Sequence, residues 1–256
     1  MKRVTHDGRE TAYRRFDRGG DGPTVCFVHG SGGTKDVWKS QARLADRFPG
    51  VAVDLSGHGD SDDVATPAGH ETLDAYADDV IAVAERTGAT VLCGNSLGGA
   101  VALWVALERD FALDGLVLAG TGAKLAVAEP LRDALADDFE RAVSTLHEPD
   151  RLFHDAPAEY VELSEAAMRE CGRAVTERDF LTCHRFDVRE RLDEVGVPAL
   201  ALVGAHDELT PPAYHEYLAD GIPAGELAEL PDAAHLAMLE APAAFNEALS
   251  AFLSRL

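Results

Sequence analysis

Long apolar runs are missing from this chain. No stretch approaches the roughly 20 residues needed to cross a bilayer, which excludes a helical membrane span. Lysine is scarce, confined to Lys2, Lys35, Lys39 and Lys124, and the basic residues total 23 against 45 acidic ones. The resulting formal net charge of −22 repels phosphate backbones and anionic lipid surfaces, so neither nucleic acid nor a membrane is expected as a partner. Cysteine is sparse as well: Cys26, Cys93, Cys171 and Cys183 form no C-x-x-C pair and no metal-ligand spacing with histidine. All four read as reduced, structural thiols, and no metal is expected. The first residues, Met1 to Asp7, lack the apolar stretch of a signal peptide, which leads to the expectation of a cytoplasmic protein. An acidic, lysine-poor, alanine-rich surface is kept folded when salt screens its self-repulsion, so a halophilic protein is expected.

What the chain does have is a core. Its 256 residues are 46% hydrophobic, ample for one large α/β domain. Its focal stretch is Gly94-Asn95-Ser96-Leu97-Gly98-Gly99, which follows the apolar run Thr90–Cys93 and precedes Ala100–Leu107. A buried strand that runs straight into a helix through G-x-S-x-G is a nucleophile elbow, with the serine on a strained corner above a sheet. Gly94 and Gly98 stand where side chains would collide as the strand and helix close on each other.

The remaining chain alternates strands and helices. Residues 1 to 22 read as a β-hairpin turning at Asp7-Gly8, and the arginines of the returning strand Thr11–Phe16 suggest a solvated edge. The continuously apolar runs Thr24–Val28, Val51–Leu55, Leu116–Ala119 and Pro198–Val203 read as strands covered on both faces. Helices are expected at Val37–Phe48, from Leu73 to Gly88, at Pro212–Ala219, and at the end, where Phe245, Leu249, Phe252 and Leu256 share a face. A short strand is expected near Glu226–Leu230. Between residues 123 and 190 strand-length runs vanish, and amphipathic helices at Pro130–Leu146, Ala158–Cys171 and Thr176–His184 replace them. The pattern predicts an α/β fold with a mainly parallel central sheet flanked by helices. Its core would be residues 1–122 and 191–256, with an inserted helical cap at 123–190.

Sites in open parallel sheets gather at the carboxyl ends of strands. A serine needs a base to take its proton, and the base works best when a carboxylate fixes its tautomer. Asp207 follows the strand ending at Val203, and His235 follows the strand ending at Leu230. The order Ser96, Asp207, His235 is the order found behind a nucleophile elbow. His29 and His58 are expected to support loops through hydrogen bonds.

Over nearly its whole length the chain resembles the α/β-hydrolase fold family. The resemblance is carried by His29-Gly30, the Asp54–Ser61 turn, the elbow, the Gly204–Asp207 turn and the Asp232–His235 loop. It implies catalytic roles for Ser96, Asp207 and His235, and an oxyanion hole made by the backbone N–H groups of Ser31 and Leu97. Ser96 departs from the haloalkane dehalogenases and epoxide hydrolases of this fold, which carry aspartate at the elbow. The implied activity is hydrolysis of a small or medium carboxylic ester through an acyl-enzyme, with a small-molecule substrate and no cofactor. Cleavage of a C–C bond beside a ketone, lactone or thioester hydrolysis, and cofactor-free perhydrolysis all fit the same three residues. A ligand-sensing pocket is the non-enzymatic alternative, and homo-oligomerisation stays open.

Overall fold

The computed structural model describes all 256 residues. Eight strands form one sheet: β1 (Lys2–His6), β2 (Arg9–Phe16), β3 (Thr24–Val28), β4 (Gly50–Val53), β5 (Ala89–Asn95), β6 (Gly115–Ala119), β7 (Ala199–Gly204) and β8 (Gly225–Leu230). Their spatial order is β1-β2-β4-β3-β5-β6-β7-β8. The first two pairings are antiparallel and every later one is parallel. The elbow strand β5 therefore stands near the middle of the sheet.

Nine α-helices accompany the sheet: α1 (His70–Thr87), α2 (Leu97–Glu108), α3 (Glu129–Asp137), α4 (Phe139–Leu146), α5 (Ala158–Cys171), α6 (Arg173–Arg185), α7 (Pro212–Gly221), α8 (Ala237–Glu240) and α9 (Pro242–Leu253). Alternate residues of each central strand feed opposite cores. Cys26 and Val28 join Leu92, Leu116 and Leu118 against α1, α2 and α7, whereas Val25 and Phe27 join Cys93, Val117 and Leu202 against Trp38 and α9. Burial on both faces is why these strands are written as unbroken apolar runs. Helix α2 is buried from Leu97 to Val105 and is correspondingly apolar all round.

Several expectations need correction. Strand β2 is not an edge, because it lies between β1 and β4, and its Arg9 Nε donates to the buried Asp79 Oδ1 at 3.1 Å. The expected helix at Val37–Phe48 is a 3-10 helix over Lys35–Leu44. The one helix expected over Pro130–Leu146 is two, α3 and α4, divided at Asp138, whose carboxylate accepts the Arg141 N–H as the N-cap of α4. Leu256 is exposed rather than part of the apolar face of α9. Helices α3 to α6 all lie in the connection between β6 and β7.

Candidate active site

The site begins where β5 meets α2. Ser96 takes φ 55° and ψ −118°, a conformation a side-chain-bearing residue holds at a cost of about 1–3 kcal/mol. Neighbouring backbones press in closely: a Cβ on Gly94 would lie 2.1 Å from the Gly98 carbonyl oxygen, and one on Gly98 would lie 2.3 Å from that of Val28. The corner is pinned by Ser96 N–H donating to the Ala119 carbonyl at 3.0 Å and by Thr121 Oγ1 donating to the Ser96 carbonyl at 2.8 Å. The preceding side chain, Asn95, donates through Nδ2 to the His235 carbonyl at 3.1 Å. The loop after β8 is thereby tied to the elbow.

Asp207 and His235 meet as their positions in the chain predict. The imidazole Nδ1 lies 2.9 Å from Asp207 Oδ2. An ionised carboxylate only accepts, so Nδ1 carries a proton, and in the neutral ring Nε2 is the nitrogen left with its lone pair. Asp207 Oδ1 also accepts the backbone N–H groups of Leu209 and Thr210 at 2.9 and 2.8 Å, and Oδ2 accepts the Thr210 hydroxyl at 2.7 Å. Burial raises the Asp207 pKa, but the fields and hydrogen bonds of His235 and Thr210 outweigh it and hold the carboxyl below its ordinary value. No sequence pattern marks Thr210. The structure adds it as a fourth member of the group.

Ser96 and His235 line the same cavity. No hydrogen bond joins the Ser96 hydroxyl to His235, whose recorded side-chain partners, Asp207 and Thr210, are both on Nδ1. Nucleophile–base contacts are commonly loose before substrate arrives and tighten around it. The backbone N–H groups of Ser31 and Leu97 donate to no carbonyl of the chain. Leu97 opens α2, where the first N–H groups of a helix lack partners and the helix dipole favours negative charge.

The other histidines take supporting positions. His29 Nε2 accepts the Leu55 N–H at 3.1 Å, so Nδ1 donates to the Gly30 carbonyl at 2.8 Å, and burial lowers the pKa to about 4. His215 Nε2 accepts the Thr121 N–H at 2.9 Å and is likewise lowered by burial to about 4. His58 differs. Its Nδ1 lies 3.2 Å from the Ser56 carbonyl and its Nε2 lies 2.9 Å from Asp179 Oδ2 on α6, so both nitrogens donate and the ring is an imidazolium. Burial opposes that charge, yet the Asp179 carboxylate raises the pKa well above the ordinary histidine value.

The cavity measures about 950 Å³, and 20 of its 43 lining residues are hydrophobic. Its apolar wall includes Leu131 of α3, Leu146 of α4, Met168 of α5 and Phe180 of α6, so the β6–β7 connection faces the serine across the opening. Cys171 and Cys183 also line it, which places two of the four thiols at the cavity rather than in the strands. Asp150, His154 and His206 hold ligand atoms within 4.8 Å of one another. The two imidazoles are stacked, with centroids 3.5 Å and planes 5° apart. Because the two ring planes are nearly parallel and separate, one ion cannot lie in both unless the rings turn.

Comparison with known proteins is consistent with this geometry. The sequence model of the alpha/beta hydrolase family matches residues 27–248. The chain is 27% identical to 3-oxoadipate enol-lactonase 2 of Acinetobacter baylyi over 248 residues, covering 92% of this chain and 90% of that protein. It is 30% identical to the pimeloyl-[acyl-carrier protein] methyl ester esterase of Neisseria meningitidis, covering 86% and 90% of the two. Among solved structures, a thermophilic esterase superposes with a TM-score of 0.86 at 32% identity, over 99% of this chain and 97% of that one.

Proposed function

The chain belongs to the alpha/beta hydrolase family, and on that footing we propose that it hydrolyses a small or medium carboxylic ester through an acyl-enzyme on Ser96. The observation that carries this reading is the Asp207–His235 hydrogen bond of 2.9 Å, facing the strained Ser96 across one cavity. In the first half-reaction Ser96 Oγ attacks the ester carbonyl while His235 Nε2 takes the hydroxyl proton. The developing oxyanion is held by the N–H groups of Ser31 and Leu97, which no carbonyl of the chain occupies. Each such donor is worth about 3–4 kcal/mol of transition-state stabilisation. Collapse of the tetrahedral intermediate breaks the ester C–O bond, and the alcohol leaves with the proton from His235. Water then attacks the acyl-enzyme, gives a proton to His235, and the acid departs as Ser96 Oγ recovers it. Asp207 holds the imidazole in the tautomer that both steps need.

Helices α3 to α6 act as a cap in this reading, because they supply the apolar wall that receives the acyl or alcohol group. A lactone is an internal ester and opens by the same attack. That second reading is supported by the enol-lactonase among the relatives. Replacing Ser96 by alanine is expected to lower kcat for p-nitrophenyl butyrate by about 10⁴-fold or more. A fluorophosphonate should add its mass to the native chain at Ser96 and to nothing in S96A. Undiminished turnover by S96A overturns the assignment.

A further inference from the structure

Arginine is costly to leave alone in a cavity wall, and this chain has nearly two carboxylates for every cation. Three cations line the cavity that holds Ser96: Lys35, Lys39 and Arg151. Lys35 Nζ is engaged by Asp54 at 2.5 Å and Asp60 at 2.6 Å, and Lys39 lies 3.6 Å from Asp36. Arg151 is half-buried, and all its recorded hydrogen bonds are made by its backbone. Its guanidinium carries five N–H donors and forms no ion pair with a carboxylate of the chain.

The turn that carries Arg151 is built rather than loose. Asp150 holds φ 63°, and its N–H donates to the Phe153 carbonyl at 2.9 Å. Both catalytic loops fasten to this turn. The Glu208 N–H, next to Asp207, donates to the Asp150 carbonyl at 2.9 Å, while the N–H groups of His235 and Leu236 donate to the carbonyls of Arg151 and Leu152 at 3.4 and 3.0 Å. Glu240 adds a clasp, since its carboxylate accepts N–H groups from His154 and Asp155 on one side and from Ala234 on the other. The backbone of Arg151 is thus held at a set position beside His235.

We propose that Arg151 is an anion subsite, and that the preferred substrates are esters or lactones bearing a free carboxylate. A guanidinium fork matches a carboxylate with two parallel charge-assisted hydrogen bonds. The neighbouring wall, Leu146, Leu152, Leu209 and Leu236, takes the methylene chain between that carboxylate and the scissile ester. At a net charge of −22 the molecule repels anions at long range, so a carboxylate is selected only by short-range contact at this one arginine.

This inference rests on the ester-hydrolase reading, and equilibrium binding separates the two. S96A, which cannot turn over, is titrated calorimetrically with the monomethyl esters of succinic, glutaric and adipic acids, and with the neutral methyl esters of butanoic, pentanoic and hexanoic acids. At least one carboxylated ester is expected to bind about tenfold or more tightly than its neutral counterpart. R151Q in the S96A background should erase that difference, and R151K, which keeps the charge but not the fork, should recover only part of it. Equal binding of charged and neutral esters, or a preference that survives both substitutions, overturns the subsite. If the binding preference depends on Arg151 but the wild-type chain hydrolyses none of these esters, the subsite stands and the hydrolase reading fails.

Discussion

Thr210 donates its hydroxyl to Asp207 Oδ2 at 2.7 Å, and its Oγ1 lies 3.2 Å from His235 Nδ1. It therefore fixes the angle at which Asp207 and His235 meet and, in the proposed mechanism, acts through Asp207 as a positioning residue. Replacing it with the near-isosteric valine removes one donor from a buried carboxylate, a loss of about 1.5–3 kcal/mol of stability. Because the folded-state pKa of Asp207 is depressed, that contribution is present above about pH 4 and disappears as pH falls through the folded pKa. Denaturant midpoints of wild type and T210V should thus differ at pH 6 and draw together as pH falls below about 4 toward the folded pKa. The variant should also lose kcat with little change in KM, and T210S should recover both. A difference in midpoint that does not shrink as pH falls below about 4 overturns the account. The gathering of Asp207 and His235, and the strained corner at Ser96, were legible because each residue follows a strand end. Thr210 and Arg151 were not, since a threonine in a turn and an arginine in a loop acquire meaning only from what folding brings beside them.

Helix α6 is joined to α1 and to the loops after β3 and β4 by Asp179, an attachment that no periodicity announces. Asp179 Oδ1 accepts the Tyr76 hydroxyl at 2.6 Å, and Oδ2 lies 2.9 Å from His58 Nε2 and accepts the Gly32 N–H at 3.4 Å. The same carboxylate therefore touches the loop after β3 that presents the Ser31 N–H. D179N would leave a buried imidazolium without its counter-charge, and the cost of breaking such a pair is about 3–5 kcal/mol. The pH dependence follows from the raised pKa of His58. The native state keeps a proton that the unfolded chain releases above about pH 6.5, so the pair's contribution is complete below that pH and declines as pH rises through the folded pKa. Urea midpoints of wild type and D179N should be far apart at pH 6 and closer at pH 9, with kcat lowered by displacement of Ser31. A separation that widens toward pH 9 overturns the ion-pair assignment. The central strands were plain in the sequence because burial on both faces leaves an unbroken apolar run. The division at Asp138 was hidden, because a capping carboxylate interrupts the helix with neither glycine nor proline to mark it. The interior place of β2 was masked by Arg14 and Arg15, which reach the surface and pair with Asp36 and Asp17 while the strand's backbone is bonded on both sides, to β1 and β4.

At the scale of the whole molecule, the surplus of 22 negative charges outweighs the pairs that oppose it. Surface ion pairs contribute about 0–1 kcal/mol each, and several here, such as Arg3–Glu10 and Arg169–Glu140, join two solvent-exposed side chains. Salt weakens these pairs, and it equally weakens repulsion among the unpaired carboxylates, which are more numerous. The Debye length falls from about 10 Å at 0.1 M to about 3 Å at 1 M, shorter than the spacing between most surface charges but longer than the contacts in buried pairs such as Lys35–Asp54 at 2.5 Å. The repulsive term is therefore screened over the whole surface while the buried attractive terms survive. We expect the melting temperature to rise by several degrees between 0.1 and 2 M KCl, in line with the halophilic character its composition suggests. Chloride at matched ionic strength is the appropriate probe, because sulfate stabilises most proteins by exclusion from their surface. A melting temperature that stays flat or falls with KCl would mean that the paired charges, and not the surplus, govern the stability of this fold.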